Sequence, residues 1–285
     1  MNNKRELFYQ QKMKVNTNQT PLVSIIVAVY NDPPEYIKQS LDSLDNQTYP
    51  NIEIIVLDDS SMNESKDAID NYAHNNKFQI IRKNKRMGFV CALNTGLELA
   101  RGYYIARMDS DDICAYDRIE KQVDYLEKNK GISIVGGQID IIDEKGIVIS
   151  HRKYPLAGMG LYVFSLFRDP LAHPTVMMRR TLVDEGFRYD ETMKKAEDID
   201  LWLRMMNRGC RIANHPDTLL KYRIEDGFNK KRTGEQQEYV YKARMRNLSI
   251  RRPMFSFFSM ICTTLYRHAP YRLMASIYNK ENGKG

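Results

Sequence analysis

Three carboxylates fall within four residues directly after a short apolar run. Asp109, Asp111 and Asp112 follow residues 103–106, whose β-prone or small side chains after Gly102 predict a short buried strand. Crowded carboxylates repel one another, and oxygen-rich clusters of this kind hold hard divalent cations such as Mg²⁺ or Mn²⁺. The alternative is a solvated acidic turn in which Asp111 or Asp112 caps the next helix. The cluster is therefore a candidate metal site that needs support from the rest of the chain.

Two more polar groups stand where apolar runs end. Tyr30 closes the run 22–30, and Asp58 and Asp59 follow the run 52–57. Runs without polar alternation are typical of strands that are covered on both faces, as in parallel sheets. Tyr30 could simply pack at its strand end, and the two acids could cap the following helix. A ligand contact is the alternative for each of them.

A further candidate group lies late in the chain. Glu197 and Asp198 open a predicted helix that ends near Gly209. Acids in a first turn are also favoured by the helix dipole, whatever their function. Trp202 in the same helix fits core packing better than stacking on an acceptor. His173, before Pro174, fits a structural histidine and a residue beside an acceptor equally well.

The predicted elements explain how these groups could meet. Strands end near residues 30, 57, 81 and 106, and helices follow the first three strands. Such alternation predicts a doubly wound, Rossmann-like sheet, which binds ligands at the carboxyl ends of its strands. Helices at 116–128 and 180–185, and strands at 132–135 and 138–150 with a turn at 143–146, continue the chain. The polar groups of the first half should therefore share one rim.

Composition narrows the possible functions. The chain has 285 residues, enough for one large domain with an appendage, and its four cysteines are scattered without a CxxC spacing. We therefore expect neither a disulfide frame nor a zinc site. Residues 1–20 are polar and lack a signal-peptide core. A cytoplasmic protein is expected.

No glycine-rich phosphate loop follows the first predicted strand. The sequence contains neither a Walker-type loop nor a G-x-G-x-x-G pattern there. A nucleotide site without a glycine cradle needs another way to neutralise phosphates. Carboxylates that hold a cation, which in turn holds a diphosphate, supply that route.

Four blocks of sequence occur in an order that resembles family 2 glycosyltransferases, which have the GT-A fold. The resemblance covers about residues 22–223, and any single block is weak, whereas four in register are specific. The blocks are Val23-Ser24-Ile25-Ile26-Val27-Ala28-Val29-Tyr30-Asn31, Ile54-Ile55-Val56-Leu57-Asp58-Asp59-Ser60-Ser61, residues 94–112 with the D-x-D motif Asp109-Ser110-Asp111, and Glu197-Asp198-Ile199-Asp200-Leu201-Trp202.

The resemblance implies a role for each matching position. Ala28, Tyr30 and Asp59 would line the base and ribose of the nucleotide, with Asp58 as the alternative base contact. Asp111 would be the main ligand of a divalent cation, Mn²⁺ or Mg²⁺, and Asp109 would approach the ribose or the metal. Asp112 would assist in metal or sugar contact. Asp198 would be the general base, with Glu197 as its rival.

The resemblance also implies the reaction, and the residues permit it. A single displacement at the anomeric carbon of a nucleotide-diphosphate sugar, with a uridine nucleotide expected, would invert its configuration. The acceptor would be a glycan or lipid-linked glycan of a bacterial surface polysaccharide. Arg82, Lys85 and Arg86 follow the third strand and fit either a diphosphate or base contact or a solvated charge run.

The chain departs from the family pattern at one metal ligand. Many relatives carry a histidine shortly after a Tyr-Arg pair, but Tyr222-Arg223 is followed here by Ile224, Glu225 and Asp226. A third metal ligand from that loop is therefore in doubt. Glu225 or Asp226 could substitute for the histidine.

The basic charge is concentrated in the tail. The net charge is +7, and residues 242–285 carry nine Lys or Arg against one acid. The uncharged run 253–266 is rich in aromatic and apolar residues but too short to span a bilayer. Peripheral contact with an anionic membrane is one expectation, and a helix packed on the domain is the other. No pattern of basic and aromatic residues supports nucleic-acid binding.

The expected architecture is an α/β, GT-A, Rossmann-like and mostly parallel sheet flanked by helices, with a C-terminal helical extension. We expect a polar leader at 1–21 and a domain at 22–225, with a nucleotide-binding half at about 22–112 and an acceptor half at about 113–225. A basic helical extension would occupy 226–285. Two alternatives remain open from sequence: a sugar-phosphate nucleotidyltransferase, and a non-catalytic relative that binds membrane or nucleic acid.

Overall fold

The computed structural model describes residues 20–224, 234–248 and 253–268. The strands in these residues are β1 Val23–Val29, β2 Ile52–Asp58, β3 Phe78–Arg82, β4 Tyr104–Asp109, β5 Ile113–Cys114, β6 Ile134–Ile142, β7 Val148–Arg152, β8 Met177–Arg179 and β9 Ile212–Arg223. They form one sheet in the order β3-β2-β1-β4-β8-β6-β9-β5, and β7 pairs with β6.

Helices cover this sheet. They are α1 Pro34–Asp45, α2 Asn63–Asp70, α3 Phe89–Leu99, α4 Arg118–Lys128, α5 Gly158–Ser165, α6 Arg180–Asp184, α7 Glu197–Asn207, α8 Gly234–Arg246 and α9 Pro253–His268, with a 3₁₀ turn at His173–Thr175. The expected α/β fold with helices on both faces is confirmed. The helices α8 and α9 lie in the expected C-terminal extension, whose boundary at 225/226 falls outside the described residues.

The sheet core follows from the apolar runs. Val23, Ile25 and Val27 of β1 face one side and join a cluster with residues of α1, whereas Ile26 faces the other side and joins a cluster with Leu93 of α3. Both faces of the strand are thus buried, as a run without polar alternation predicts. The polar groups are left at the strand ends.

The register brings these ends together. β1 lies between β2 and β4 and is parallel to both, and Ala28 is paired with Leu57 on one side and with Asp109 on the other. The residues after β1, β2 and β4 therefore emerge at a single edge. The expectation of one polar rim is confirmed for the residues that follow β1, β2 and β4.

Beyond β4 the sheet becomes mixed. The pairs β4–β8, β6–β8, β6–β7 and β5–β9 are antiparallel, whereas β6–β9 is parallel. The long strand β9 contains Pro216, and its pairing with β6 shifts register around Gln138. A proline inside a strand weakens the sequence pattern of that strand, which explains why no strand is predicted from the sequence at 212–223.

The helix α8 packs against the end of the sheet domain. Val240 and Ala243 form a small core with Met193, Ala196 and Ile199, which surround the start of α7. Arg246 is ion-paired with Asp190. Among the described residues, the helices are all too short or too polar to cross a bilayer.

Candidate active site

The three acids after β4 form a compact cluster. One carboxylate oxygen from each of Asp109, Asp111 and Asp112 lies within 4.8 Å of the others. Burial, and then the charges of Asp109 and Asp32, raise the pKa of Asp111 to about 7. Burial and the charges of Asp111 and Asp109 raise the pKa of Asp112 well above its usual range. These shifts are the expected result of placing like charges close together away from water.

The cluster fits a divalent cation. Asp112 is fully buried, its Oδ1 accepts the amide of Arg223, and its Oδ2 has no hydrogen-bond partner in the described structure. An unpartnered buried carboxylate oxygen beside two further carboxylates is an unfavourable arrangement that a hard cation would relieve. Asp109, Asp111 and Asp112 are thus the residues that could hold such an ion. The loop with Glu225 and Asp226 lies outside the described residues.

Neighbouring side chains hold the cluster in place. The hydroxyl of Ser110 lies 2.5 Å from Oδ2 of Asp32 and 3.1 Å from the carbonyl oxygen of Ala28, and Ser40 donates to the carbonyl of Asp109. The guanidinium of Arg107 forms a two-nitrogen contact with the carboxylate of Asp109. The D-x-D turn is therefore fixed by β1, α1 and β4 together.

Arg223 supports the same turn from β9, and the sequence analysis did not assign it a role. Its Nε donates to the carbonyl of Asp111 at 2.8 Å, and its Nη2 donates to Gln39 at 2.6 Å. Its Nη1 donates to the carbonyls of Asp143 and Glu144. Arg223 is almost completely buried. The Tyr222-Arg223 pair is a signal that the sequence contains. The hydrogen-bond partners of Arg223 lie far away in the sequence, so the pair alone does not show what Arg223 holds.

At the ends of β1 and β2, Tyr30 and Asp59 lie near Arg86. Tyr30 is 44% exposed, and the guanidinium carbon of Arg86 lies 3.7 Å from the centre of its ring. The carboxylate of Asp59 accepts the amides of Met87 and Gly88 at 2.6 and 2.7 Å. Nε of Arg86 lies 3.7 Å from the same carboxylate. An exposed aromatic face and a fixed carboxylate thus stand at the end of β1 and β2.

Asp58 and Arg82 occupy a different environment. The side chain of Asp58 is fully buried and pairs with Nε of Arg82 at 2.5 Å, and Arg82 also pairs with Asp70. These contacts tie β2 and β3 to α2. Of the two alternatives for a base contact, the geometry therefore favours Asp59 over Asp58. Lys85 is exposed, and Arg82 pairs with Asp58 and Asp70. Arg86 is therefore the one of these three basic residues that lies near Tyr30 and Asp59.

Glu197 and Asp198 form the second acidic group, at the start of α7. Nδ1 of His173 lies 3.9 Å from a carboxylate oxygen of each, and Nε2 of His173 is 2.8 Å from the hydroxyl of Tyr189. Burial, and then the charge of Arg107, lower the pKa of His173 well below its usual range, so the ring is neutral. His173 therefore packs directly beside the proposed base.

The two acids differ in their surroundings. Burial, and then the charge of Asp198, raise the pKa of Glu197 to about 8, so this carboxyl keeps its proton at neutral pH. The side chain of Asp198 is 18% exposed, against 11% for Glu197. A protonated carboxyl cannot accept a proton, which favours Asp198 as a base. Trp202 has no exposed surface and belongs to the core, so it does not offer a stacking face to an acceptor.

Arg107 relates the two acidic groups to each other. Burial alone would lower its pKa, but the charges of Asp109, Asp112 and Glu197 outweigh burial and raise it. The charges of both acidic groups therefore act on one buried guanidinium in β4. Asp169 is a further acid for which the sequence indicated no role, and burial, followed by the charge of Asp198, raises its pKa well above its usual range.

Comparisons with known proteins identify the family. Residues 24–187 match the model of glycosyl transferase family 2. AmsE of Erwinia amylovora, an amylovoran biosynthesis glycosyltransferase, is 31% identical over 268 residues, which cover 91% of this chain and 99% of AmsE.

Solved structures show the same fold. TarS of S. aureus in complex with UDP-GlcNAc superposes with a TM-score of 0.68 at 17% identity, over 92% of this chain and 78% of that one. The mannosyltransferase PcManGT of Pyrobaculum calidifontis, in complex with GDP-Man and Mn²⁺, superposes with a TM-score of 0.66 at 20% identity, over 92% and 76% of the two chains. The family match leaves the nucleotidyltransferase alternative without support. The chain belongs to glycosyl transferase family 2 and has its GT-A fold.

Proposed function

We propose that the protein transfers a sugar from a nucleotide-diphosphate donor, with a UDP-sugar expected, to an acceptor hydroxyl with inversion at the anomeric carbon. The observation that carries this proposal is the arrangement at one rim. A carboxylate cluster fit for a divalent cation adjoins Arg107, whose guanidinium carbon lies 5.4 Å from the ring of Phe89. That ring is 6.5 Å from the ring of His173, which lies beside the partly exposed carboxylate of Asp198. A cation for the leaving diphosphate and a separate base are the parts that such an inverting transfer would use.

The chain's own residues would act as follows. Asp198 takes the proton of the acceptor hydroxyl as its oxygen bonds to the anomeric carbon. The bond between that carbon and the phosphate oxygen breaks, and its electron pair leaves with the nucleoside diphosphate. Attack from the side opposite the leaving group gives inversion. His173, which is neutral, keeps the space beside Asp198 free of a competing positive charge.

On the donor side, Tyr30 would offer its ring to the base and Asp59 would accept from it, while Ala28 would line the ribose. Arg86 lies close enough to both side chains to reach the base or the diphosphate. Asp109, Asp111 and Asp112 would hold Mn²⁺ or Mg²⁺, with Asp111 as the main ligand and Asp109 also near the ribose. Such a cation, when bound, neutralises charge that develops on the departing diphosphate.

The test measures nucleotide release from UDP-, GDP- and dTDP-sugars, with Mn²⁺, Mg²⁺ or a chelator, and donor affinity by calorimetry. Asp111→Asn should lose cation-dependent donor binding. Asp198→Asn should bind the donor normally but lose transfer by about a thousandfold, as removal of a general base does.

Asp124→Asn is the matched control, because Asp124 is an exposed acid on α4 that pairs with Lys128. It should behave as the wild type in both measurements. Release that is unchanged by chelator and by both site substitutions would contradict the proposal. So would the absence of release from every donor, with and without lipid-linked acceptors.

We further propose that the acceptor is a glycan or lipid-linked glycan of a bacterial surface polysaccharide and that the protein works at the inner face of the cytoplasmic membrane. The similarity to AmsE supports the first part. The helix α9 supports the second, because it buries Ser259 and Thr263 and exposes the apolar side chains of Phe257, Phe258, Ile261 and Leu265. An exposed apolar stripe in a basic segment fits the interface of an anionic membrane.

Vesicle binding tests this second part. Phe257→Ser combined with Phe258→Ser should weaken co-sedimentation with vesicles that contain phosphatidylglycerol by about tenfold or more, because two half-exposed aromatic rings are lost from the interface. Ile147→Ser, at an exposed apolar residue of the β6–β7 turn, is the control. Equal vesicle binding by both variants would contradict membrane contact through α9. Vesicle binding that does not fall as salt is added would contradict attraction to an anionic surface.

A further inference from the structure

Arg107 lies in β4, two residues before the first acid of the cluster, and its backbone is fixed on both sides. Its amide donates to the carbonyl of Val176 at 3.0 Å, and its carbonyl accepts Nη2 of Arg118 at 2.9 Å. Its side chain is only 5% exposed. An arginine does not lose its proton in proteins. The acid cluster therefore has a fixed positive charge beside it.

The guanidinium of Arg107 contacts both oxygens of one acid. Its Nη1 donates to Oδ2 of Asp109 at 2.9 Å, and its Nη2 contacts Oδ1 of the same carboxylate. Its Nε is buried and has no hydrogen-bond partner among the described residues. A contact through two parallel nitrogens fixes the plane of the carboxylate as well as its position. The orientation of Asp109 is therefore set by Arg107.

The third acid of the cluster is held differently. Asp112 accepts the amide of Arg223 with Oδ1, and its Oδ2 has no hydrogen-bond partner in the described part of the chain. One carboxylate oxygen from each of the three acids lies within 4.8 Å of the others. A cation that binds among them would therefore share the carboxylate of Asp109 with Arg107.

The positive charge of Arg107 acts in two opposite ways on such a cluster. It lowers the repulsion among the acids, but it also repels a cation that binds the same carboxylate. Buried charges a few ångströms apart interact strongly, and dissolved salt screens them little. A diphosphate brings negative charge to the same place, so it offsets the repulsion between Arg107 and the cation.

We propose that Arg107 couples the two parts of the donor site, because it weakens cation binding to the acid cluster alone and permits tight binding only together with a nucleoside diphosphate. The inference rests on the cation site proposed for Asp109, Asp111 and Asp112. Arg107 is then a positioning residue for Asp109 that also sets the order of affinities. Because such coupling is reciprocal, the cation strengthens diphosphate binding by the same factor.

The affinity for Mn²⁺ is measured directly, from the electron paramagnetic resonance signal of the free ion, with and without saturating UDP. Arg107→Gln should bind Mn²⁺ about tenfold more tightly than the wild type when UDP is absent, because a repulsive charge is lost. The gain in Mn²⁺ affinity on adding UDP should shrink by about the same factor. A purely structural role for Arg107 would have the opposite result, namely weaker Mn²⁺ binding in both conditions.

A charge-neutral variant accompanies this one, because Arg107→Gln leaves Asp109 without its partner. Arg107→Gln combined with Asp109→Asn removes both charges of the buried pair, which proteins tolerate better than removal of one. Asp109→Asn alone leaves the charge of Arg107 uncompensated beside the other acids. The double variant should therefore bind Mn²⁺ about tenfold or more tightly than Asp109→Asn, although both have lost the same carboxylate.

Arg101→Gln is the matched control, because it removes the same charge from an arginine just before the other end of β4. Arg101 pairs with Glu53, and its side chain is 75% exposed. Its Mn²⁺ affinity should stay within about twofold of the wild type, with and without UDP, because water and salt screen an exposed charge.

The outcomes separate this inference from the cation site on which it rests. Unchanged or weaker Mn²⁺ binding by a folded Arg107→Gln without UDP, or a double variant that binds no tighter than Asp109→Asn, would overturn the inference. If Asp111→Asn binds Mn²⁺ as the wild type does, the cation site itself has failed. If Asp111→Asn loses Mn²⁺ binding while Arg107→Gln gains none, only the role of Arg107 has failed.

Discussion

Arg223 uses all three nitrogens of its guanidinium to hold the frame around the acid cluster. Its partners are the carbonyls of Asp111, Asp143 and Glu144 and the side-chain amide oxygen of Gln39. Its ring neighbour is Tyr36, whose centre lies 4.1 Å from the guanidinium carbon. A planar fork serves several acceptors at fixed angles, which a lysine ammonium cannot do.

Arg223→Lys should therefore weaken the cluster without altering its carboxylates. We expect a loss of about 2–4 kcal/mol in the free energy of unfolding, since several buried acceptors lose their donors. Cation-dependent donor binding should weaken by about tenfold. Arg211→Lys, at an exposed arginine just before the same strand, should change neither quantity. Urea unfolding and calorimetry provide the two measurements, and a stable variant with normal donor affinity would remove Arg223 from this role.

At the scale of elements, Gly102 shows how closely β1 and β4 approach. A Cβ at this position would lie 2.5 Å from the amide nitrogen of Ser24 and 2.6 Å from the carbonyl oxygen of Tyr104. Both are backbone atoms of the sheet, which cannot rotate away as a flexible side chain does. The amide of Gly102 also donates a hydrogen bond to the hydroxyl of Ser24 at 2.7 Å, which holds it close to β1.

Gly102→Ala should destabilise the protein by about 2–4 kcal/mol, because the clash forces β1 and β4 apart. The matched control is Gly160→Ala inside α5, where a Cβ meets nothing within 4 Å. That change should be neutral or stabilise by up to about 1 kcal/mol, as alanine favours helices. Thermal unfolding of both variants gives the midpoint temperatures that test this prediction. Equal midpoints for Gly102→Ala and Gly160→Ala would show that the sheet accommodates a Cβ at residue 102 without loss of stability.

The elements that the sequence predicted well are those with local patterns. The first four strands and their helices agree with the structure within a few residues, and the turn at 143–146 joins β6 and β7 as expected. The antiparallel pairings of β8 depend on contacts between distant segments, which no local pattern records. The same reason explains why the role of Arg223 was not predicted. Its hydrogen-bond partners lie 79 to 184 residues away in the sequence.

At the scale of the whole molecule, the acids with raised pKa make stability depend on pH. Asp111 and Glu197 have pKa values of about 7 and about 8 in the folded protein, above those of unfolded chains. The folded state then binds more protons than the unfolded state, so the free energy of unfolding falls as pH rises through these values. The lowered pKa of His173 has the opposite effect, but only below about pH 6.5.

Without a divalent cation, the free energy of unfolding should therefore fall by about 1–2 kcal/mol between pH 6.5 and pH 8.5. Mg²⁺ or Mn²⁺ should offset this loss, since a cation binds the ionised acids. Urea unfolding in chelator and in cation, at several pH values across this window, gives the two curves. Parallel curves, or stability that rises across the window in chelator, would contradict the link between acids and cation.

The packing of α8 has a consequence for the order in which the protein is made. Every residue proposed to bind the donor or accept the proton precedes α8 in the chain, yet Val240 and Ala243 of α8 pack against Ala196 and Ile199 at the start of α7. Arg244 of α8 also donates to the carbonyls of Ser165 and Leu166 at the end of α5. Because domains fold as the chain leaves the ribosome, we expect a nascent chain that ends before α8 to form the proposed donor rim while the start of α7, which carries Asp198, still lacks this support.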